Sequence, residues 1–588
     1  MGTAVGSAPP APRPTGGMQM RSVTFLALVA SALAVAAASA GHHDPTGVHL
    51  SFGDEEDQMV VTWSTAKSTD ADVRYAPSDP ESSTPANLTL SATGTVREFV
   101  DGGSGRTTRY VHAVTLRGLA PGVRYEYQVG DASLEKWSAT FWFASRRDAK
   151  QLADRTTPPL RLIALCDIGL ERSERVLKLL ANEVHGAGKI PPDAFVQCGD
   201  FAYDLDSDDG AVGDDFLAAM EPIAAYVPWM TSAGNHEKQN NFTHYRERFT
   251  MPNKAQTDNH YYSLNLGPVH LVAYNTEAFF WPEMFGAEYA ARMYAWLERD
   301  LSSVDRKKTP WVVVHGHRPM YCPTTKTAAV DPEDYDGEDD YAPPSSFSSA
   351  PPAPKKERET VGKKKKPDLG GLCKWEQESS RLGVPSVCAN ADGTNCARFE
   401  SVSYLESVSP EERELSKLSD PPRFPLEALF HAHGVDVAFY GHEHEYWRSF
   451  PVFDETVVNG TGTTSLETYR EPRGTVHVVT GAGGNDNMDL GDEPPSRGRC
   501  ADLTGKGKNL NPAPWCAFQS GVDVSGGRTS EFAYGIVTFW SGTRMTWEQF
   551  SALDDGAKID EWHIETSKHG PFANRLVASG SHAGIAAE

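Results

Sequence analysis

Between residues 160 and 444 the chain runs five times through a short apolar stretch and ends it on polar residues able to hold a cation. Leu160–Cys166 leads into Asp167-Ile168-Gly169, and Ala194–Cys198 into Gly199-Asp200-Phe201-Ala202-Tyr203. Tyr226–Ala233 leads into Gly234-Asn235-His236-Glu237, the Trp311–Val314 run ends on His315-Gly316-His317, and Val435–Tyr440 leads into Gly441-His442-Glu443-His444. Apolar runs of this length, bounded by glycine, are the pattern of buried strands. In open α/β sheets the loops after strand carboxyl ends aim side chains at a common site. Helical spacing lies between the runs: Val176, Leu180 and Val184 share one face, and Met293, Trp296, Leu297 and Leu301 mark another helix. Residues 158–565 are therefore expected to form a mixed α/β domain, with β-sheets flanked by helices. It closes with a hairpin, Tyr534–Trp540 and Met545–Phe550, turning at Ser541-Gly542.

Upstream the period drops to two. Met59, Val61 and Trp63 alternate with Val60 and Thr62. The Leu119-Ala120-Pro121-Gly122 turn leads into Tyr125-Glu126-Tyr127-Gln128-Val129, and this resembles a fibronectin-III-like sandwich. Residues 46–145 are expected to be an all-β sandwich domain, joined to the α/β domain by a linker, Arg146–Pro159. Residues 323–372 break the α/β pattern: an acidic stretch, a Pro/Ser/Ala-rich stretch and Lys363–Lys366 carry no apolar periodicity. They are expected to be a disordered surface insert whose charges stay solvated.

Arg21, the apolar run Val23–Ala38 and the small residues Ala38-Ser39-Ala40 give residues 1–40 the form of a signal peptide region, with Met18 or Met20 as a plausible true start. A secreted protein is expected, extracellular or in the secretory-pathway lumen, with an acidic compartment left open and no membrane contact after signal removal. Asn87, Asn241 and Asn459 stand in glycosylation sequons. Of the eight cysteines, Cys166 and Cys198 sit at buried strand ends and are expected to be free. The other six fit three disulfides, with Cys388–Cys396 and Cys500–Cys516 suggested by proximity. A formal charge of −24 argues against nucleic acid or an anionic membrane as a partner. An anionic substrate would need a local positive charge such as bound metal. A homodimer is neither required nor excluded.

Singly, each motif has a plain structural reading. Asp167 can cap a helix, Asn235 can serve a turn, His317 can be a core histidine and Tyr203 can pack. Their combination, in this order and each after a strand, resembles the metallophosphoesterase superfamily and, within it, the purple acid phosphatases of the two-domain plant and animal type. The resemblance covers residues 46–565 apart from the insert. Most members of the superfamily have Asp-x-His as the first motif; here position 169 is glycine, and Tyr203 stands where others usually carry Asp or Asn. One donor lost and one gained is the purple acid phosphatase pattern. A phenol of ordinary pKa ~10 must lose its proton to become a hard anionic donor, which suits Fe(III).

The resemblance implies that Asp167, Tyr203 and His444 hold Fe(III). It implies that Asn235, His317 and His442 hold a divalent metal, Fe(II), Zn or Mn, and that Asp200 bridges the two. His236 would face the substrate, binding the phosphoryl oxygens or protonating the leaving group. The implied reaction is hydrolysis of small phosphate monoesters in acid by attack of metal-bound hydroxide. The alternative within the superfamily is a metal-dependent phosphodiesterase or nucleotidase, and outside it a non-enzymatic secreted binding protein. The chain departs from the family in having Cys166 where glycine usually stands, and in lacking the histidine pair that plant members carry after the fourth motif. His315 is a candidate second proton donor or, alternatively, a packed strand histidine.

Overall fold

The computed structural model describes residues 42–154, 156–170, 172–321, 380–381, 424–458, 460, 465–485, 496–502, 512–522 and 531–572. The signal region, the insert 323–372, Asn459 and four of the cysteines (Cys322, Cys373, Cys388 and Cys396) lie outside these residues.

Two antiparallel sheets make the sandwich. One holds Thr46–Phe52, Met59–Thr65, Thr108–Leu116 and Thr95–Val100, in that order. The other holds Leu90–Thr93, Asp72–Pro77, Arg124–Asp131 and Lys136–Trp137, with Phe141–Ala144 also pairing on Arg124–Asp131. Val61, Trp63, Val73, Tyr127 and Phe143 are fully buried between them. The Pro-Gly turn is closed by Tyr125, whose hydroxyl accepts the Ala120 N–H at 3.0 Å. This is the corner such sandwiches use.

Period-two spacing would leave one face of Met59–Thr65 wet, yet Val60 and Thr62 are buried as well. The register explains this. Thr62 pairs with His49 and Val60 with Ser51, so all four share a face. That face is covered by the second domain: the His49 ring meets Trp229 and Phe249, and Ser51 Oγ donates to the Thr250 carbonyl. Val48 N–H donates to Glu221 at 2.9 Å and the Tyr127 hydroxyl to the Ala225 carbonyl at 2.6 Å. Nearby, Arg248 and Arg109 both donate to Asp214, and His244 meets Asp101 at 2.6 Å. The stretch expected as a plain linker contains a helix, Ala149–Ala153, started by an Asp148–Gln151 capping box. Arg147 ties it down with a two-pronged pair to Asp193.

The α/β domain is built on two stacked sheets. The first runs Trp229–Ser232, Ala194–Cys198, Leu160–Leu165, Ala533–Ser541, Arg544–Ser551, Ala557–Glu565 and Thr468–Arg470. The second runs Tyr262–Leu266, Val269–Ala273, Trp311–His315, Val437–Tyr440, Val476–Thr480, Tyr446–Ser449, Cys516–Val522 and Ser496–Arg499. Phe439 packs on Trp547 and Trp311 Nε1 donates to the Ser541 carbonyl, which holds the sheets face to face. The motif strands are parallel within each sheet, and Cys166 N–H reaches the Thr480 carbonyl at 3.1 Å. The carboxyl edges of both sheets thus meet at one seam. Among the flanking helices, Glu174–His185 buries Val176, Leu180 and Val184, and Ala287–Ser303 buries Met293, Leu297 and Leu301, with Trp296 half-buried. The closing hairpin is present and gains a third strand, Ala557–Glu565, that the sequence pattern did not announce.

The reading of Cys166 and Cys198 as free is corrected. Leu165 pairs with Gln197 across the parallel strands, so the next residues in line are neighbours, and the two cysteines form a disulfide with Cα atoms 4.9 Å apart. Cys500–Cys516 is also bonded. Among the described residues no helix is long and apolar enough to cross a membrane.

Candidate metal centre

Four of the expected ligand residues leave their strands in the left-handed backbone region: Asp167 (φ 57°), Asp200 (φ 49°), Tyr203 (φ 50°) and His442 (φ 68°). Such backbone costs energy and persists where the surroundings over-determine it, as at ligand-binding sites. Here the surroundings are hydrogen bonds. The buried Glu237 carboxylate accepts the N–H groups of Asp200, Phe201 and Gly234 at 2.9, 2.9 and 2.7 Å. Asp167 Oδ2 accepts His442 N–H at 2.9 Å, which joins the first motif to the fifth. Beyond the strand ends, the Asp167, Ile168 and Gly169 N–H groups continue the ladder to the Gly199, Asp200 and Phe201 carbonyls.

These loops bring the seven expected ligand residues into two adjoining groups. In one, the Tyr203 hydroxyl lies 3.0 Å from Asp167 Oδ1 and 3.1 Å from His444 Nε2, and His444 Nε2 lies 3.6 Å from the same Asp167 oxygen. In the other, His317 Nε2 lies 3.1 Å from Asp200 Oδ2 and 2.9 Å from Asn235 Oδ1, and His442 Nδ1 lies 3.0 Å from that Asn235 oxygen. Ligand atoms of Asp200, His317 and His442 fall within 4.8 Å of one another. His236 stands outside both groups. Its Nδ1 meets Asp204 Oδ1 at 2.7 Å, its ring lies 4.4 Å from that of Tyr203, and its side chain is 16% exposed.

Electrostatics follow from burying this many acceptors. Burial opposes the Asp200 charge, but the His317 and His236 rings hold its carboxylate well below the usual range. Burial likewise opposes charge on His317, and Asp200 outweighs it, raising the ring to about 10. His236 is raised to about 9 against burial, by Asp200 and then by Asp204. Burial, with Asp167 and Asp200 close by, pushes the Tyr203 phenol well above 10. His315 goes the other way: buried, stacked on Phe439 and 3.3 Å from Ser232 Oγ, it is lowered to about 3 by burial. It is a packed strand histidine whose ring stays neutral in mild acid.

Three family models match the chain: a purple acid phosphatase N-terminal domain over residues 45–145, a calcineurin-like phosphoesterase over 160–347, and an iron/zinc purple acid phosphatase-like C-terminal region over 474–561. Acid phosphatase type 7 of Mus musculus is 30% identical over 88% of this chain and 90% of its own length, and the Homo sapiens protein of that name matches to the same extent. The chain belongs to the purple acid phosphatase family. It is a phosphatase, and its chemistry is that of a metal-dependent phosphoesterase. A purple acid phosphatase from yellow lupin (Lupinus luteus) seeds shares the fold, with TM-score 0.57 at 18% identity over 93% of this chain and 78% of that one.

The donor set of this purple acid phosphatase fits cations. His317 Nδ1 lies 2.9 Å from the Cys198 carbonyl, to which it can only donate, so the neutral ring presents a lone pair at Nε2. That lone pair faces two acceptor oxygens, Asp200 Oδ2 and Asn235 Oδ1. Acceptors converging on acceptors need either a proton or a cation between them. Position 169 shows why no histidine ligand stands there. Gly169 has φ +68°, and an added Cβ would sit 2.9 Å from Asn485 Cα.

Four neighbours were missed from sequence. Glu237 closes the third motif but had no role assigned to it, and Asp204 follows Tyr203; a count of backbone N–H groups needing acceptors at the strand ends would have pointed to Glu237. Arg318, next to His317, donates to His442 Nε2 at 2.9 Å and is held by the Glu277 carboxylate at 3.0 and 3.1 Å. Asn485 lies 41 residues beyond His444, with only the Gly483-Gly484 pair as a signal.

Proposed function

We propose that this protein is a secreted acid phosphatase that hydrolyses small phosphate monoesters at a binuclear Fe(III)–M(II) centre, with M being Fe(II), Zn or Mn. Asp167, Tyr203 and His444 would hold the ferric ion, Asn235, His317 and His442 the divalent one, and Asp200 would bridge them. The observation that carries this reading is the paired change at positions 169 and 203. Backbone fills the space where other metallophosphoesterases place a histidine, and a buried phenol stands 3.0 Å from Asp167 and 3.1 Å from His444. A phenol whose pKa is pushed above 10 gives up its proton only to a strongly charged cation. Bound there, the cations would neutralise the phosphate charge and activate the attacking water below neutral pH.

The chain's own residues supply the rest. Glu237 and the Asp167–His442 contact hold the ligand loops rigid before substrate arrives. Asp204 orients His236 through Nδ1, so the imidazolium can donate from Nε2 to a phosphoryl or leaving-group oxygen. The exposed Asn87 and Asn241 suit glycosylation in a secretory compartment.

The test is metal analysis and a visible spectrum of the purified protein, with an aryl phosphate and its diester compared in mild acid. Iron with a tyrosinate band, lost in Tyr203→Phe, is expected, with the monoester preferred. Wild-type protein that binds no iron, or that prefers the diester, contradicts the proposal.

A further inference from the structure

Asn485 is fully buried, although nothing about asparagine favours that. Its Nδ2 lies 2.7 Å from the Tyr203 hydroxyl oxygen and also reaches His444 Nε2. Both amide hydrogens are therefore spent on two residues of one metal-binding group. The Tyr203 hydroxyl donates toward Asp167, so a lone pair of the same oxygen is what takes the amide hydrogen. The other end of the amide, Oδ1, is buried with no hydrogen-bond partner among the described residues.

The backbone around Asn485 is pressed inward. A Cβ at Gly483 would lie 2.5 Å from the Cys166 carbonyl and 2.7 Å from that of Asp167, and Gly484 has φ +113°. The same loop sets Asn485 Cα against Gly169. One segment thus closes the space left by the missing histidine and delivers a donor to the tyrosine that compensates for it.

We propose that Asn485 is a positioning residue for Tyr203: its amide donates a hydrogen bond to the phenolic oxygen, fixing the ring beside Asp167 and His444 and drawing electron density from the oxygen when it serves as a metal ligand. This rests on the ferric reading above. When His444 Nε2 is given to a cation, the Tyr203 oxygen remains as the acceptor. An N–H donor to a phenolate stabilises its filled orbitals, so a tyrosinate-to-iron charge-transfer band sits at shorter wavelength with the donor than without it.

The experiment compares iron-loaded, full-length wild type with Asn485→Ala and the near-isosteric Asn485→Asp. The readouts are band position, iron content and the separate effects on kcat and KM. Both variants should shift the band to longer wavelength while keeping iron, which a merely structural role would not do. An unmoved band in a folded, iron-containing variant overturns the proposal. So does a shift to shorter wavelength in Asn485→Asp alone, which would mean that the side-chain oxygen is itself a ligand. If Asn485→Ala does not fold, the aspartate variant decides. Wild type with no band sinks the ferric reading and this inference with it, whereas a wild-type band with unshifted variants sinks this inference alone.

Discussion

An acid phosphatase must stay folded in the pH range where buried neutral histidines become a liability, and His49 tests this at the interface between the domains. Its ring is buried against Trp229 and Phe249, with Nδ1 2.8 Å from the Gly47 carbonyl. Burial lowers its pKa from 6.5 to about 4, with Lys254 and Arg248 adding to the effect against two backbone carbonyls. Above pH 6.5 the ring is neutral in both folded and unfolded chains and contributes no pH dependence. Below that, the unfolded chain binds a proton that the folded protein refuses, so stability falls as pH falls, until about pH 4 where the folded ring also protonates. At ~1.36 kcal/mol per unit, acidification from about pH 6.5 to about pH 5 costs roughly 2 kcal/mol through this residue alone. His49→Gln keeps a donor for Gly47 and cannot titrate. Urea unfolding near neutral pH and near pH 5 should show the variant losing roughly 2 kcal/mol less than wild type on acidification. Equal losses in the two proteins would refute the argument, because the ring would then be protonated in the folded state or reached by water.

Asp204→Asn removes the anion beside His236, so the imidazolium should lose its proton at lower pH. The basic limb of the kcat/KM profile should move down by about one unit, with kcat falling more than KM rises; an unmoved limb would show that Asp204 does not act through His236. Arg248→Met strips Asp214, His244 and the Gly210 carbonyl of a shared donor. Because Asp214 is 41% exposed, the loss should be about 2–3 kcal/mol, below the range for a fully buried pair; unchanged thermal unfolding would mean the cluster is screened by water. Peptide mapping without reductant should recover Cys166 and Cys198 on one cross-linked fragment, and replacing both with serine should cost about 3 kcal/mol of stability; recovery of both as free thiols would contradict the bond.

Much of the site was legible in the sequence because each motif is local. A strand's apolar run and the glycine that ends it lie within a few residues of the side chain they aim, so Asp167, Asp200, Asn235 and His317 could be placed at strand ends without a fold. Tyr203 and Gly169 carried the metal reading together, since one residue's loss explains the other's presence. The supporting residues were less legible. Asn485 reaches Tyr203 across 282 residues of chain, and nothing in its own neighbourhood says so.

What the sequence determined by itself is therefore the strands that carry the five motifs, the order of the loops that follow them and the chemistry of the side chains those loops bear, all consequences of short-range periodicity and residue type. The tertiary structure alone decided which strand ends stand side by side. That made Cys166 and Cys198 bonded neighbours, put the α/β domain over the sandwich face bearing Thr62 and Val60, and set the Asn485 amide on the phenol of Tyr203. The physical reason is that sheet register and close packing couple residues far apart in the chain, and only the fold brings a distant hydrogen-bond donor within 2.7 Å of the acceptor that needs it.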